Sequence, residues 1–216
     1  MTNLLLEIEV EGTHIPRRVH VEDRLIGFER FLEMAREQYV DLINGAIVEK
    51  PVIQLDHELC TSWIYQLLGP YARKLKLGRM LSSRIMVKTD SFGGRMPDLL
   101  FVSQSNFGIV KQLAVYGAPD LIIEVVSPHD RPSDLRSLEA DYYRLGVPEL
   151  IFINLQKLEI RSLLLTTEGY SETIIKEGGV AFNAFPDLIL QASWILQEPR
   201  PDVVDTLISL FSDPKD

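Results

Sequence analysis

Two apolar runs, each entered through a Pro-Asp pair, constrain this chain more than any other feature. They are Pro97-Asp98-Leu99-Leu100-Phe101-Val102 and Pro119-Asp120-Leu121-Ile122-Ile123-Glu124-Val125-Val126. Apolar runs of this length read as strands buried on both faces. Asp98 stands at the mouth of the first, and Glu124 lies inside the second. A carboxylate in such a run is costly to bury unless it is paired, hydrogen-bonded or bound to metal. Two carboxylates on adjacent strands can share one hard divalent cation, with waters and phosphate oxygens completing its shell. Such an ion polarises a scissile phosphate and lowers the pKa of a bound water. The alternative is a structural ion pair between Glu124 and Arg95, Arg131 or Arg136. The residues alone leave both readings open.

The surrounding pattern is mixed. LLLEIEV alternates weakly and is expected to be an edge strand. Phe28, Phe31, Leu32 and Ala35 recur at helical spacing, which predicts a helix over 27–37. Asn44-Gly45 between two apolar strands is a strong hairpin signal. Residues 56–68 carry Leu59, Trp63 and Leu67 at helical spacing, with Asp56 as N-cap and Gly69-Pro70 as a break or kink. SRIMVKT reads as a strand, SFGGR as a turn, and 105–118 as loop with a little helix. A helix over 133–145 presents Leu135, Leu138, Tyr142 and Leu145 on one stripe and ends at Gly146. Strands LIFINL, LEIRSLLL and YSETIIKEG follow, then an apolar helix from Val203 to Phe211. Helices interleaved with strands predict an α/β fold with a mixed central sheet. Residues 1–25 read as an N-terminal extension and 26–216 as one domain, a fitting size for 216 residues.

Composition narrows the classes further. Cys60 is the only cysteine, which excludes a disulfide framework or a multi-thiolate zinc site. It is expected to be buried beside Ile64. The opening MTNLLLEIEVEG has no basic region, and no run approaches a membrane span, so a cytoplasmic protein is expected. With 22 basic and 31 acidic residues the net charge is -9, which argues against nucleic acid as a partner of the whole surface. The segment from Arg73 to Arg95 departs from that average: Arg73, Lys74, Lys76, Arg79, Arg84, Lys88 and Arg95 stand against one acid, Asp90. It leads directly into Asp98 and is either a solvated edge or one that tracks phosphates.

Three segments together resemble a known family. They are Arg95-Met-Pro-Asp98-Leu-Leu-Phe-Val, Ala118-Pro-Asp-Leu-Ile-Ile-Glu124-Val-Val-Ser127-Pro128, and Asp134 through Tyr142-Tyr-Arg-Leu-Gly146-Val-Pro-Glu149. In this order and spacing they resemble the Uma-two family of restriction endonucleases, within the PD-(D/E)xK nuclease superfamily. The likeness covers about residues 28–211. Asp41-Leu-Ile-Asn-Gly45 resembles the family's N-terminal hairpin, and His57 the histidine that opens its first core helix.

The resemblance implies a restriction-endonuclease-like core, a mixed central β-sheet flanked by helices. It implies hydrolysis of DNA phosphodiesters dependent on Mg²⁺ or Mn²⁺, with Asp98 and Glu124 as metal ligands. His57 would be a metal ligand or general base, or else a hydrogen-bonded residue of a first helical turn. The chain departs from the family at two places. The family lysine, four residues after the aspartate matching Asp134, is Leu138 here, and Ala46 stands where relatives often carry glutamate. Lys88, on the strand before Asp98, is the candidate substitute for the lysine, because Arg136 falls on nearly the opposite helix face. The alternative is a catalytically impaired nuclease-fold protein that binds nucleic acid or protein. Tyr142 is expected in the core, His129 in solvent, and His14 and His20 carry no signal. The family often forms homodimers, for which Trp194 to Leu196 and the C-terminal helix are the expected surface.

Overall fold

The computed structural model describes residues 4–8, 17–21, 25–34, 39–50, 53–82, 85–128 and 130–212. In chain order, the strands β1 (Leu4–Ile8) and β2 (Arg17–Val21) precede helix α1 (Phe28–Met34). The hairpin strands β3 (Val40–Ile43) and β4 (Ala46–Glu49) turn at Asn44 and Gly45, both at positive φ (49° and 76°). That geometry selects Asn-Gly in a two-residue hairpin. Helix α2 (Leu55–Lys74) follows, then β5 (Gly78–Ser82), β6 (Met86–Asp90), β7 (Gly93–Arg95) and β8 (Leu99–Ser103). A single 3-10 turn at Phe107–Ile109 leads to β9 (Ala114–Val115), β10 (Leu121–Val125) and helix α3 (Pro132–Leu145). The chain continues through β11 (Glu149–Asn154), β12 (Glu159–Thr166), β13 (Gly169–Ile175), β14 (Gly179–Ala181) and β15 (Ile189–Gln191). It closes with helices α4 (Ala192–Leu196) and α5 (Val203–Ser212).

The strands form two large sheets and a small one. The six-stranded sheet runs β13-β12-β11-β10-β8-β5, and the seven-stranded sheet β1-β2-β4-β3-β7-β6-β9. β10 is parallel to β11 and antiparallel to β8, so the central sheet is mixed. Every residue of β10 is buried. Its alternation splits the core: Leu121, Ile123 and Val125 pack toward α2 and the C-terminal helices, while Ile122 packs with Tyr142 and Leu150 beneath α3. Helices thus cover both faces, which is the reason the run reads as continuously apolar. β2 pairs with β4 and β1 with β2, so these two strands extend the hairpin sheet.

Several expectations needed correction. Helix α2 runs through Pro70 to Lys74, because Tyr71 and Ala72 are buried and hold the last turn against the core. Its N-cap residue is Gln54, and Asp56 sits inside the first turn. Its buried stripe is Cys60, Ile64, Leu67 and Leu68, whereas Leu59 is exposed. SFGGR is half strand, since Gly93–Arg95 pairs with β6 and β3. Ile195 and Leu196 face the core, so of the expected dimer surface the exposed apolar part is Val204, Ile208 and Phe211 of α5. His14 and His129 lie outside the described residues. Among the described residues no helix is long and apolar enough to cross a membrane.

Candidate metal and phosphodiester site

The register of the two Pro-Asp strands builds the site. β8 and β10 pair Leu100 with Ile122 and Leu99 with Ile123. One step further along the same antiparallel register, Asp98 comes opposite Glu124. The Asp98 N–H donates to Glu124 Oε2 (3.4 Å), and the Val125 N–H donates to Asp98 Oδ2 (2.8 Å). Both carboxylates are buried. Glu124 has no arginine partner among the described residues. Its Oε1 accepts a hydrogen bond from the Tyr142 hydroxyl (2.7 Å), reaching up from α3. Tyr142 is therefore in the core, as expected, and is also a hydrogen-bond donor to Glu124, which the stripe alone did not reveal.

The arginines are engaged elsewhere. Arg95 donates from Nε to Asp141 (2.6 Å), from Nη1 to Asp41 (3.2 Å) and from Nη2 to Ser137 (2.9 Å). Arg131 bonds Asp134. Asp41 also takes the Met96 N–H (2.9 Å), so β3 and α3 together fix the backbone leading into Asp98.

His57 lies in the first turn of α2 and is buried, with Nε2 3.0 Å from Asp98 Oδ2. An ionised carboxylate only accepts, so the Nε2–H donates. Nδ1 faces Thr61 Oγ1 at 3.4 Å, and that hydroxyl donates to the His57 carbonyl (2.8 Å). The ring is thus oriented toward Asp98 from both sides. Lys88 is not brought to this cluster. It binds Glu29 (3.0 Å) on the hairpin-sheet side, over the rings of Phe28 and Tyr116, because β6 turns it toward α1.

Lys50, which the sequence reading did not single out, enters instead. It follows β4, donates from Nζ to the Met96 carbonyl (2.6 Å), and lies 5.0 Å over the Tyr39 ring. It lines an open cleft together with His57, Asp98, Glu124 and Leu138. Burial opposes its charge, but Asp41, Glu124 and Asp98 outweigh this and hold the ammonium protonated more firmly than usual. Its bond to the Met96 carbonyl spans 46 residues, created when the hairpin folds back onto β7, so no local pattern marks it.

The two carboxyl groups are pushed apart. Burial raises Glu124 to about 8 from an ordinary 4.5, with the Asp98 charge adding to it against Lys50 and the Tyr142 hydrogen bond. Burial also opposes ionisation of Asp98, but His57, Lys50 and the Val125 N–H together hold its carboxyl below the ordinary range. A dication beside them would offset both the burial and the Asp98 charge that favour the protonated form of Glu124. Among the described residues no group of three or more His, Cys, Asp or Glu forms a metal cage. The donor set fits a hard cation of the Mg²⁺ kind, which needs only one or two carboxylates with waters. Both hydrogen bonds to the Asp98 carboxylate fall on Oδ2, and Oδ1 accepts none from a described residue.

A buried carboxylate pair at the meeting of two strands, on a mixed sheet covered by helices, defines a restriction-endonuclease-like protein. The chain belongs to the Uma2 family, described as putative restriction endonuclease, whose model matches residues 28–194. It is similar in fold to a crystal structure described as a putative nuclease belonging to DUF820 from Anabaena variabilis. That similarity has a TM-score of 0.67 at 15% identity, over 79% of this chain and 97% of the other. No curated protein matches the chain.

Proposed function

We propose that the chain is a metal-dependent endonuclease that hydrolyses DNA phosphodiester bonds at Asp98 and Glu124. The observation that carries this is the pairing of the two carboxylates: Asp98 and Glu124 sit opposite each other, joined through the Asp98 N–H. Mg²⁺ or Mn²⁺, held by these two groups, would neutralise charge on the phosphate and supply an acidified water. Asp98, with His57 and the Val125 N–H on one oxygen, is the fixed ligand. Glu124, held by Tyr142, is the ligand whose ionisation depends on what binds beside it. His57 acts as a positioning residue for Asp98. In the reaction a water oxygen bonds to phosphorus and one P–O ester bond breaks. The water's proton passes to solvent, and the leaving oxygen takes one up.

DNA is the proposed partner, approached along the exposed part of the Arg73 to Arg95 segment, with a homodimer formed through α5. One observation favours the second reading, a catalytically impaired member: Leu138, where the family carries lysine, lines the cleft with an apolar side chain. Plasmid nicking with Mg²⁺ and with Mn²⁺, against an Asp98→Ala control, decides between them. Metal-dependent nicking that the control loses is the expected result, and no nicking in either metal sides with the impaired protein.

A further inference from the structure

We propose that Lys50 supplies the cationic group of the carboxylate site, filling from the end of hairpin strand β4 the place that the family lysine takes at the position of Leu138. The inference rests on the nuclease reading for its catalytic meaning and on geometry for its placement. Lys50 and Leu138 line the same cleft as Asp98 and Glu124, one from the hairpin and one from α3. The Nζ is fixed by the Met96 carbonyl, two residues before Asp98, and by the Tyr39 ring. Its charge acts on Asp98, Glu124 and Asp41 alike.

The remaining cations are committed. The cleft contains one other Lys or Arg among its described residues, Arg95, and three partners hold that guanidinium. Lys88 is tied to Glu29. An ammonium is a compact point charge on a flexible stem, so what matters is where Nζ sits and not which element carries the Cα. An extended lysine reaching in from the hairpin can occupy the same region as one reaching in from α3. Leucine at 138 is then accommodated, because a second ammonium there would oppose the first. The competing view is that Lys50 only staples the hairpin to Met96.

Four full-length proteins separate these views: wild type, Lys50→Met, Leu138→Lys and the double variant, each checked for folding by circular dichroism. Mn²⁺ affinity is measured by calorimetry and nicking under single turnover in Mg²⁺. Removing the ammonium is expected to raise Mn²⁺ affinity several-fold, because a positive charge leaves the carboxylates. It is expected to slow nicking by about 10²–10³-fold, the scale for losing one preorganised charge-stabilising group. The double variant should return Mn²⁺ affinity to within about twofold of wild type and the nicking rate to within about tenfold. Lys50→Gln, which keeps an N–H donor without the charge, covers the case in which Lys50→Met fails to fold, and it should behave as Met does. Mn²⁺ affinity unchanged within twofold in a folded Lys50→Met or Lys50→Gln overturns the inference, as does a folded double variant that restores neither readout. A wild type that nicks nothing while the Mn²⁺ arm moves as expected leaves Lys50 in place and removes the nuclease reading alone.

Discussion

Glu124 and Glu149 are both carboxylates on buried strands, and burial raises both, yet they solve the problem differently. Glu149 accepts the N–H groups of Asn183 and Ala184 (2.8 Å each) and so serves the backbone. Glu124 receives one phenol and one long N–H bond beside a second carboxylate. Its folded value of about 8 stands above the ordinary 4.5. The folded protein therefore holds a proton that the unfolded chain gives up. That stabilisation is complete below the unfolded value and is lost as pH rises through about 8. Asp98 has the opposite sign: its contribution is present above the ordinary 3.8 and is lost only as pH falls through its lowered value. Metal-free urea melts are thus expected to lose stability between pH 5 and pH 8.5, by at most about 5 kcal/mol, and Glu124→Gln should flatten that slope. Mn²⁺ affinity should climb across the same range, since binding must displace the proton. Tyr142→Phe, which keeps the ring but removes the donor to Glu124, should cost about 1–3 kcal/mol in the same melts.

At the scale of elements, the entrance to β8 is held by charge as well as by pairing. β7 has three residues, all paired with β6, but only Gly94 is registered on β3. What ties it to β3 and α3 is buried Arg95, clamped between Asp41 on β3 and Asp141 on α3, with Asp41 also binding the Met96 N–H. Removing one member of a buried ion cluster strands the others. Arg95→Met is therefore expected to cost about 3–5 kcal/mol by chemical denaturation. Arg95→Lys should rescue little, because one ammonium cannot reproduce a three-way fork. The same comparison shows what was legible in the sequence. Asn44-Gly45, the unbroken β10 run and the Gly146 stop act through neighbouring residues, and each produced the element it predicts. β7, β14 and β15 have three residues each, too few to leave a local period to read, and β5 pairs with β8 across the whole of β6 and β7. Asp98 and Glu124 stood out as acids in apolar runs. Lys50 and Asp41 did not, because a hairpin end and a short strand are ordinary places for charges until the hairpin docks on Met96.

At the scale of the molecule, the net charge of -9 and the proposed DNA-binding role are reconciled only by geography. Of the basic segment, Arg95 is buried, Lys88 is bound to Glu29, and Arg84 lies outside the described residues. Arg73, Lys74, Lys76 and Arg79 are exposed where α2 ends and β5 begins. His57 stands in the first turn of the same helix. At the α-helical rise, the distance from His57 to Arg73 along α2 is about 24 Å. A duplex engaging both the site and this patch would lie along α2, with four phosphate contacts remote from the carboxylates. Four such contacts give a slope of log affinity against log salt of about -3.6 for duplex DNA. Lys74→Glu combined with Lys76→Glu should lower duplex affinity and reduce that slope by about 2. Both residues are exposed and far from Asp98, so Mn²⁺ binding and stability should not change. Fluorescence anisotropy with a short duplex in Ca²⁺, repeated across salt, reads the slope directly. An unaltered slope in the double variant would place the DNA path on another face and leave the exposed basic residues as a solvated helix end.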